Sequence, residues 1–308
     1  MGTPEFGVPI LERLLADQHE VVAVYTRPDR PAGRGRQVAA SPVKRTALAH
    51  GLRVIEPETM RDPATAVVLS ELRPDVIVVA AFAYLLPPTV LATPRLGCLN
   101  VHPSLLPRHR GPSPVAAALL HGERETGVSI MLMDEGLDTG PVLSQERVSI
   151  GETDTTGSLT ALLSFRGSGL LSLTLKQWVR GELSSTPQDD SLASYSELIQ
   201  AKDGIMEWTQ PADTLWRGVR AYHPWPGCHT TWKGKRLKIH SGMALQSAQQ
   251  GEVGEVVELA ASSPLRIGVV TGEGVLALDR IQIEGKREVS VQEFVRGHAD
   301  FIGSHLGT

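Results

Sequence analysis

Residues 75–83, with the sequence DVIVVAAFA, form an uninterrupted apolar stretch that lacks the alternation of a half-exposed strand. Strands of this kind are typical of parallel sheets, which helices cover on both faces. Stretches 20–26 and 97–102 have the composition of further strands, and 41–51 and 114–122 that of intervening helices. In the first of these helices Ser41 can cap the start and Gly51 can end it. Alternating strands and helices predict an α/β, Rossmann-like domain with a mostly parallel sheet. Further elements of this domain are predicted at 126–133, 140–150 and 155–181.

The composition and the length of the apolar segments change in the second part of the chain. Residues 182–197 are polar, contain one proline and show no periodicity, which is typical of a linker. Beyond about residue 208 the segments CHTTW, RLKIHS, GEVVEL, RIGVVT and GVLALDRIQI are short, β-prone and separated by glycines. Their spacing predicts a small OB-like β-barrel. We therefore expect an α/β domain over residues 1–189, a linker over 190–207 and a β-barrel domain over 208–308.

Composition excludes several classes of protein. The 308 residues include 30 Lys and Arg against 34 Asp and Glu, so a uniformly basic nucleic-acid coat is excluded. Cys98 and Cys228 have no CxxC partner, which argues against a disulfide framework or a zinc site. No apolar run reaches the roughly 18 residues of a membrane span, and no signal peptide opens the chain. We expect a cytoplasmic protein that uses no metal.

The stretch LNVHPSLLPRHRGPSP at residues 99–114 places two polar side chains at a strand end. Strand side chains alternate between faces, so Asn100 and His102 share one face. Pro103 cannot donate to a sheet ladder, so the strand ends there. Ligands of α/β sheets bind outside the carboxyl ends of parallel strands. The pair therefore lies where a binding or catalytic site is expected.

A second polar cluster, DEGLDTGP at residues 134–141, includes Asp138 between two glycines that permit tight turns. A carboxylate beside His102 would orient the imidazole, and the Asn100 amide could stabilise an oxyanion. Amide, imidazole and carboxylate together suit acyl transfer to a nucleophile carried by the substrate. We therefore predict Asn100, His102 and Asp138 as catalytic residues.

Other interpretations of these residues remain open at this stage. A His before Pro is often a loop residue bonded to a carbonyl, and DEG and DTG are ordinary turn sequences. Ser104 could be a nucleophile, although no G-x-S-x-G motif surrounds it. His102, His109 and Asp138 could bind a metal, although their spacing matches no common ligand pattern.

Six blocks of sequence, in order, resemble the methionyl-tRNA formyltransferase family, a branch of the 10-formyltetrahydrofolate-dependent formyltransferases. These blocks are GTPEF, RPDRPAGRGR, SPVK, NVHPSLLPRHRG, GLDTGP and RAYHPWPG. Pro103 stands where the tRNA branch commonly has Gly. In this respect NVHPSLLP also resembles the glycinamide ribonucleotide branch. RPDRPAGRGR and the AYHPWP region resemble the tRNA branch and favour it.

The resemblance implies that 10-formyltetrahydrofolate donates a formyl group to the α-amine of methionyl-initiator tRNA. Asn100 and His102 would then polarise the formyl oxygen, and Asp138 would hold His102 and help to move a proton. The resemblance also implies a folate site. Its residues would be Ser104, Leu105, Leu106 and Pro107, with an apolar wall from Phe82, Tyr84 and Leu86.

Two stretches are strongly basic despite the net charge of −4. Residues 27–45 and residues 209–240 each hold six Lys or Arg against one Asp. Separated basic stretches suit a protein that contacts phosphates on two domains, although each taken alone is more often a solvated face. By resemblance the first stretch contacts tRNA. Its predicted contact residues are Arg30, Arg34, Arg36 and Lys44, and we expect the protein to act as a monomer.

Two alternative functions follow from the same residues. One is formyl transfer to a small amine, such as a sugar nucleotide or glycinamide ribonucleotide. The other is a tRNA-binding module whose site does not turn over. Formyl transfer to charged tRNA, compared with transfer to free small amines, separates the first alternative from the tRNA enzyme.

A short apolar strand precedes the GTPEF block in the family, and the printed sequence begins at that block. Loss of about five buried side chains would forfeit ~10 kcal/mol at ~1.5–3 kcal/mol each, which is comparable to the stability of a domain. We therefore expect the natural protein to be longer, with Met1 as an internal residue. Intact-mass measurement of the native protein should give a mass above that of 308 residues; a native chain that starts at Met1 and folds would contradict this expectation.

Overall fold

The computed structural model describes residues 1–32, 37–82, 84–246 and 251–307, and leaves undescribed the side chains of residues 30–32, 37 and 38. Its helices are α1 (Val8–Ala16), α2 (Pro42–Ala49), α3 (Pro63–Glu71), α4 (Pro88–Leu91), α5 (Pro114–Leu120), α6 (Thr156–Val179), α7 (Ala212–Ala221) and α8 (Val291–Gly297). Its first eight strands are β1 (Val24–Tyr25), β2 (Arg30–Ala32), β3 (Gln37–Ala39), β4 (Val54–Ile55), β5 (Ile77–Val79), β6 (Cys98–His102), β7 (Glu125–Leu132) and β8 (Val142–Ser149). The remaining strands are β9 (Cys228–Trp232), β10 (Lys235–Leu245), β11 (Val256–Glu258), β12 (Ile267–Val270), β13 (Val275–Ile283) and β14 (Val289–Ser290).

The chain divides into two compact units. The first consists of Met1–Val115, Arg124–Ile150 and Ser158–Glu197. The second consists of Ala116–Glu123, Gly151–Gly157 and Leu198–Thr308.

The first unit contains a mixed sheet in the order β5-β6-β7-β8. β5 and β6 are parallel, whereas β6/β7 and β7/β8 are antiparallel. β1 and β4 form a separate parallel pair, and β2 and β3 an antiparallel one. The α/β class is confirmed, and the predicted mostly parallel sheet is confirmed in part, since the main sheet contains one parallel pair and two antiparallel pairs. A short turn joins β7 to β8, and a connection of that length can only join antiparallel neighbours.

Helix α2 forms where its local signals predict it. The Ser41 side chain accepts a hydrogen bond from Lys44 N at 3.1 Å, and Pro42 occupies the first turn. This N-cap satisfies one of the backbone donors that a helix start leaves unpaired. The helix ends at Ala49, two residues before the predicted stop at Gly51.

Strand β6 is the buried centre of the first unit's main sheet, since all five of its residues are buried. Val79 of β5 pairs with Asn100, and Ser129 of β7 pairs with His102. Neighbours on both sides fix the register of β6, so the direction in which its side chains point is fixed as well. The strand can therefore present Asn100 and His102 on a defined face.

Met1 and Gly2 bridge strands of the first unit. Gly2 N donates to Tyr25 O at 3.0 Å, and Met1 O accepts from Ala80 N at 2.9 Å. A cavity of about 710 Å³ adjoins them and is lined mainly by apolar side chains, including Ile10 and Leu11. Asn100, His102 and Asp138 are not among its lining residues, so this cavity is separate from the predicted catalytic cluster.

The second unit is built on an antiparallel sheet in the order β11-β12-β13-β10-β9, with β14 paired to β13. The predicted barrel is confirmed only in part: the sheet curls into half a barrel, and among the described strands β9 and β11 form its two edges. Leu237 and Ile239 of β10 point into the core, while Arg236 is exposed and Lys238 is only partly buried. This alternation is the pattern of a sheet with one buried face.

Both cysteine thiols should be inert in the folded protein. Cys98 and Cys228 are buried, and burial raises the pKa of each thiol to about 12. Only about one thiol in ten thousand would then be thiolate at pH 8. We expect no labelling of native protein by a thiol reagent at pH 8 and two labels per chain in denaturant. Rapid labelling of either cysteine in native protein would contradict the burial.

Candidate active site

Asn100 and His102 project from β6 onto one face, as the strand period requires. Asn100 is 9% exposed and His102 is 4% exposed. Both side chains approach the same carboxylate, that of Asp138, which lies in the turn between β7 and β8. The predicted sharing of a face is therefore confirmed, and the three predicted catalytic residues lie together.

The turn that carries Asp138 is held by its own side chains. Asp134 Oδ1 accepts hydrogen bonds from Gly136 N at 3.0 Å and from Thr139 Oγ1 at 2.7 Å. Gly140 is required because a Cβ there would lie 1.9 Å from Leu132 O. Asp138 itself has φ +55°, in the left-handed region that few residues other than glycine adopt. Of the two aspartates, Asp134 therefore builds the turn and Asp138 points into the site.

The Asp138 carboxylate contacts three groups, two from β6 and one from the loop that follows it. Its Oδ2 accepts from Gly111 N at 2.8 Å, and its Oδ1 accepts from Asn100 Nδ2 at 3.3 Å. Oδ2 also lies 3.6 Å from His102 Nδ1, an ion-pair distance once that nitrogen is protonated. The Asp138 side chain is only 14% exposed, so these contacts replace most of its water.

The second ring nitrogen of His102 is also engaged. Its Nε2 lies 3.0 Å from His109 O, a carbonyl that can only accept, so Nε2 carries a proton. In the neutral ring Nδ1 is then the free nitrogen, and it faces Asp138. Protonation at Nδ1 would place the imidazolium between a carbonyl and a carboxylate. The arrangement therefore directs proton uptake and release to the Asp138 side of the ring.

The loop after β6 contains four predicted folate residues. Ser104 is fully buried, and its Oγ donates to Arg108 O at 2.6 Å. Leu106 N donates to Ser129 Oγ at 3.2 Å, and Leu106 O accepts from Gln145 Nε2 at 2.9 Å. Ser104 is thus committed to shaping the loop, which disfavours its interpretation as a nucleophile. The folate contacts of Ser104, Leu105, Leu106 and Pro107 remain a prediction.

The predicted apolar wall follows β5. Phe82 and Leu86 are buried in the core, at 2% and 6% exposure. Tyr84 packs edge-on against Phe82 with ring centroids 5.2 Å apart, and its hydroxyl donates to Glu58 O at 3.1 Å. The guanidinium of Arg27 lies 5.2 Å from the Tyr84 ring centre. Because β5 and β6 are parallel neighbours, this wall and the 104–107 loop leave the sheet at the same edge.

The predicted tRNA contacts are only partly described. Arg34 and Arg36 lie outside the described residues, and Arg30 is described only in its backbone. Lys44 Nζ lies 2.7 Å from Asp29 Oδ2 and 2.7 Å from Glu56 Oε2. The hydrogen bonds that Lys44 donates to these two carboxylates, first to Asp29 and then to Glu56, raise the pKa of Lys44. A phosphate would compete with both acids, so the structure does not favour Lys44 as a direct contact.

Sequence reasoning missed several residues that hold the site. Arg110 is buried at 2% exposure and donates to Gln188, Asp190 and Tyr195. Ser194 and Ser196 exchange hydrogen bonds with the same stretch: Arg110 N donates to Ser194 O and Ser196 N donates to Arg110 O, each at 2.8 Å. A buried arginine gives no local sequence signal, although Arg110 itself lies within the quoted NVHPSLLPRHRG block.

No metal or membrane feature emerges from the described part of the chain. Within residues 1–32, 37–82, 84–246 and 251–307, no group of three or more His, Cys, Asp or Glu is arranged to hold a metal ion. None of the described helices combines the length and apolar character that a membrane crossing requires.

Comparison with known proteins supplies the class. A family profile described as Formyl transferase matches residues 1–175, and one described as Formyl transferase, C-terminal domain, matches residues 198–299. The chain is 45% identical over 310 residues to the methionyl-tRNA formyltransferase of Roseiflexus castenholzii, covering 100% of this chain and 97% of that protein. It is 42% identical over 307 residues to the methionyl-tRNA formyltransferase of Syntrophus aciditrophicus, with the same coverage of 100% and 97%.

A solved structure supports the fold. The N-formyltransferase of Helicobacter canadensis, determined with folinic acid and dTDP-3-aminofucose, superposes with a TM-score of 0.64 at 16% identity. The match covers 90% of this chain and 97% of that one, and at this identity it concerns the fold alone. The chain belongs to the formyl transferase family, as the sequence blocks predicted.

Substitutions at position 138 should separate backbone strain from carboxylate chemistry. Asn tolerates the left-handed conformation and keeps an oxygen for Gly111 N, whereas Ala does neither. We expect Asp138→Ala to unfold with a free energy about 1–2 kcal/mol lower than Asp138→Asn, because a buried N–H loses its acceptor. Urea denaturation measures the difference. Equal stability of the two variants would show that neither the conformation nor the Gly111 hydrogen bond matters.

Proposed function

We propose that this chain transfers a formyl group from 10-formyltetrahydrofolate to the α-amine of methionine esterified to initiator tRNA, the reaction that prepares the initiator for translation. The observation that carries this proposal is the full-length similarity to methionyl-tRNA formyltransferases at 45% and 42% identity. The convergence of Asn100, His102 and Asp138 supplies the chemical groups that the reaction needs.

The nucleophile arrives with the substrate. An α-amine has a pKa of roughly 8, and esterification of its carboxyl lowers this value, so neutral amine is available near pH 7. Its nitrogen attacks the formyl carbon and a C–N bond forms, while the carbonyl oxygen becomes an oxyanion. The bond from the formyl carbon to N10 of the folate then breaks. The proton lost by the amine passes to N10, so charge and atoms balance.

Asn100 is the proposed oxyanion donor. Its Nδ2 carries two N–H groups, and Asp138 Oδ1 accepts only one of them. The bond to Asp138 therefore holds the amide in place while the second N–H is available to the oxyanion. A preorganised donor of this kind contributes about 10²–10³ in rate.

His102 and Asp138 are the proposed proton-handling pair. The bond from His102 Nε2 to His109 O fixes the ring, and Nδ1 faces the carboxylate at 3.6 Å. Asp138 can take the amine proton through a water molecule, and a protonated His102 adds positive charge beside the developing oxyanion. General acid–base catalysis of this kind is worth about 10²–10⁴ in rate.

The folate binds, in this proposal, where the parallel strands β5 and β6 end. In the predicted wall Phe82 and Leu86 are buried and back the half-buried ring of Tyr84, which is the member that can contact a pterin. The loop from Ser104 to Pro107 supplies backbone groups close to His102. This chemistry fits the donor, since an apolar wall and a hydrogen-bonding loop lie at one edge of the sheet.

The tRNA binds, in this proposal, through basic residues of both units. Arg30, Arg34 and Arg36 in the first basic stretch contact the acceptor end, and Lys44 supports that stretch through Asp29. In the second stretch Lys235 and Arg236 are exposed on β10. We assign the catalytic domain to residues 1–189, the linker to 190–207 and an OB-like, tRNA-binding barrel to 208–308. The protein would act as a cytoplasmic monomer.

Transfer of a labelled formyl group from 10-formyltetrahydrofolate tests the proposal directly. Wild-type protein should formylate charged initiator tRNA and should leave free aminosugar nucleotides and glycinamide ribonucleotide unmodified. Asn100→Ala, His102→Ala and Asp138→Ala should each lower turnover by about 10²-fold or more, because each removes a group that acts on the reacting atoms. The dissociation constant for charged tRNA, measured by filter binding, should stay within about 2-fold of wild type. In this proposal the three residues act at the reacting carbon, whereas tRNA affinity comes mainly from contacts with phosphates.

Glu135→Ala is the matched control for Asp138→Ala, because Glu135 is an exposed acid in the same turn. It should leave turnover unchanged. Preferential transfer to a free small amine would replace the proposed acceptor, and unchanged turnover in the three alanine variants would overturn the site.

A further inference from the structure

Asp138 is held in a conformation that its own residue type does not favour. Its φ is +55°, and the left-handed region costs a residue with a side chain roughly 1–2 kcal/mol. The carboxylate bonds described above hold its side chain but not its carbonyl. Conformations of this kind persist only where surrounding groups fix them. The backbone on either side of Asp138 therefore needs a partner.

Gln188 supplies that partner from the segment after α6. Its Nε2 donates to Asp138 O at 2.8 Å and to Gly140 O at 2.7 Å. One amide group thus grips the backbone on both sides of Thr139. Because both bonds go to carbonyl oxygens, the grip acts on the course of the chain and not on any reacting side chain.

Arg110 in turn holds Gln188. Its Nε and Nη2 donate to Gln188 Oε1 at 3.0 and 2.9 Å. The same guanidinium donates to Asp190 Oδ1 at 2.7 Å and to the Tyr195 hydroxyl at 3.2 Å. A buried guanidinium with fixed acceptors is a rigid anchor, since each lost bond would leave a desolvated charge. Gln188 is therefore oriented: its oxygen must face Arg110, and its N–H groups must face the turn.

The backbone beside Arg110 contacts the predicted catalytic groups directly. Gly111 N donates to Asp138 Oδ2, and His109 O accepts from His102 Nε2. The segment from His109 to Gly111 therefore touches the imidazole, the carboxylate and, through Arg110, the Gln188 amide. A displacement of Gln188 would move Asp138 relative to the other two.

We propose that Gln188, oriented by the buried Arg110, is a positioning residue that fixes the Asp138 carboxylate against Asn100 and His102. The proposal rests on the formyl transfer function proposed above. It makes Gln188 important for the rate of the chemical step and unimportant for the binding of either substrate.

Gln188→Glu isolates the two bonds to the turn. The carboxylate keeps the shape of the side chain and its acceptors for Arg110, but it cannot donate to the carbonyls of Asp138 and Gly140. We expect kcat to fall about 10- to 100-fold, the loss associated with a misplaced catalytic group, with KM for tRNA and folate within about 2-fold. Gln188→Ala should fall similarly, which excludes the added charge as the cause. Gln177→Ala, an exposed glutamine of α6, is the control and should match wild type.

A double-mutant cycle distinguishes positioning from a general structural role. In an Asp138→Ala background Gln188→Glu should cause no further loss of turnover, because the group it positions is gone. Full additivity of the two losses, a raised KM with unchanged kcat, or unchanged kinetics in Gln188→Glu would each overturn the proposal.

A readout independent of activity keeps the proposal separate from the proposed function. Hydrogen exchange at Gly111 N–H should accelerate at least about 10-fold in Gln188→Glu and stay unchanged in Gln177→Ala, because Asp138 Oδ2 is the acceptor. If wild-type protein transfers a formyl group to no amine, the proposed function fails, but this measurement still tests whether Gln188 positions Asp138. Unchanged exchange at Gly111 N–H in Gln188→Glu would overturn that positioning role.

Discussion

The contacts of the Asp138 carboxylate are the interactions on which the rest of the site depends. A charged group at 14% exposure needs partners to replace water, and it finds them in Gly111 N–H, the Asn100 amide and the facing His102 ring. Those partners come from β6 and from the loop that follows it, whereas Asp138 itself lies in the turn after β7. A neutral side chain at position 138 would weaken the contacts that hold these segments against one another. The same contacts that satisfy the charge also bring the three predicted catalytic side chains together.

The sheet explains why these groups can be held so closely. β6 has partners on both sides, so its residues cannot slip in register without losing two ladders. The antiparallel hairpin of β7 and β8 brings the Asp138 turn back across the strand that carries Asn100 and His102. The unusual backbone of His109, with φ +54°, and of Gly111, with φ +101°, then turns a carbonyl and an N–H toward the same cluster. Strand β6 thus supplies two of the predicted catalytic side chains, and the loop after it and the turn after β7 supply the groups that contact them.

The sequence alone was sufficient for features that depend on neighbours along the chain. The Ser41 cap of α2 is such a feature, and so is the common face of Asn100 and His102, which follows from the strand period. The direction of β7 relative to β6 was not predictable, because nothing in the residues of β7 shows whether it pairs parallel or antiparallel with β6. Gln188 and Arg110 escaped notice for a related reason: Gln188 is 50 residues from Asp138 in the sequence, and the segment around it has the polar composition of a linker. Polar residues that find partners only after folding are indistinguishable from solvated ones beforehand.

The way in which position 138 is held limits how the site can evolve. Gln188 donates only to carbonyl oxygens of the turn, so its two bonds do not depend on the side chain at position 138, while the left-handed backbone there favours Asp, Asn or Gly. An Asp codon becomes an Asn or a Gly codon through one nucleotide change. A single nucleotide change can therefore produce a relative that keeps this fold and binds the same ligands but no longer catalyses the reaction.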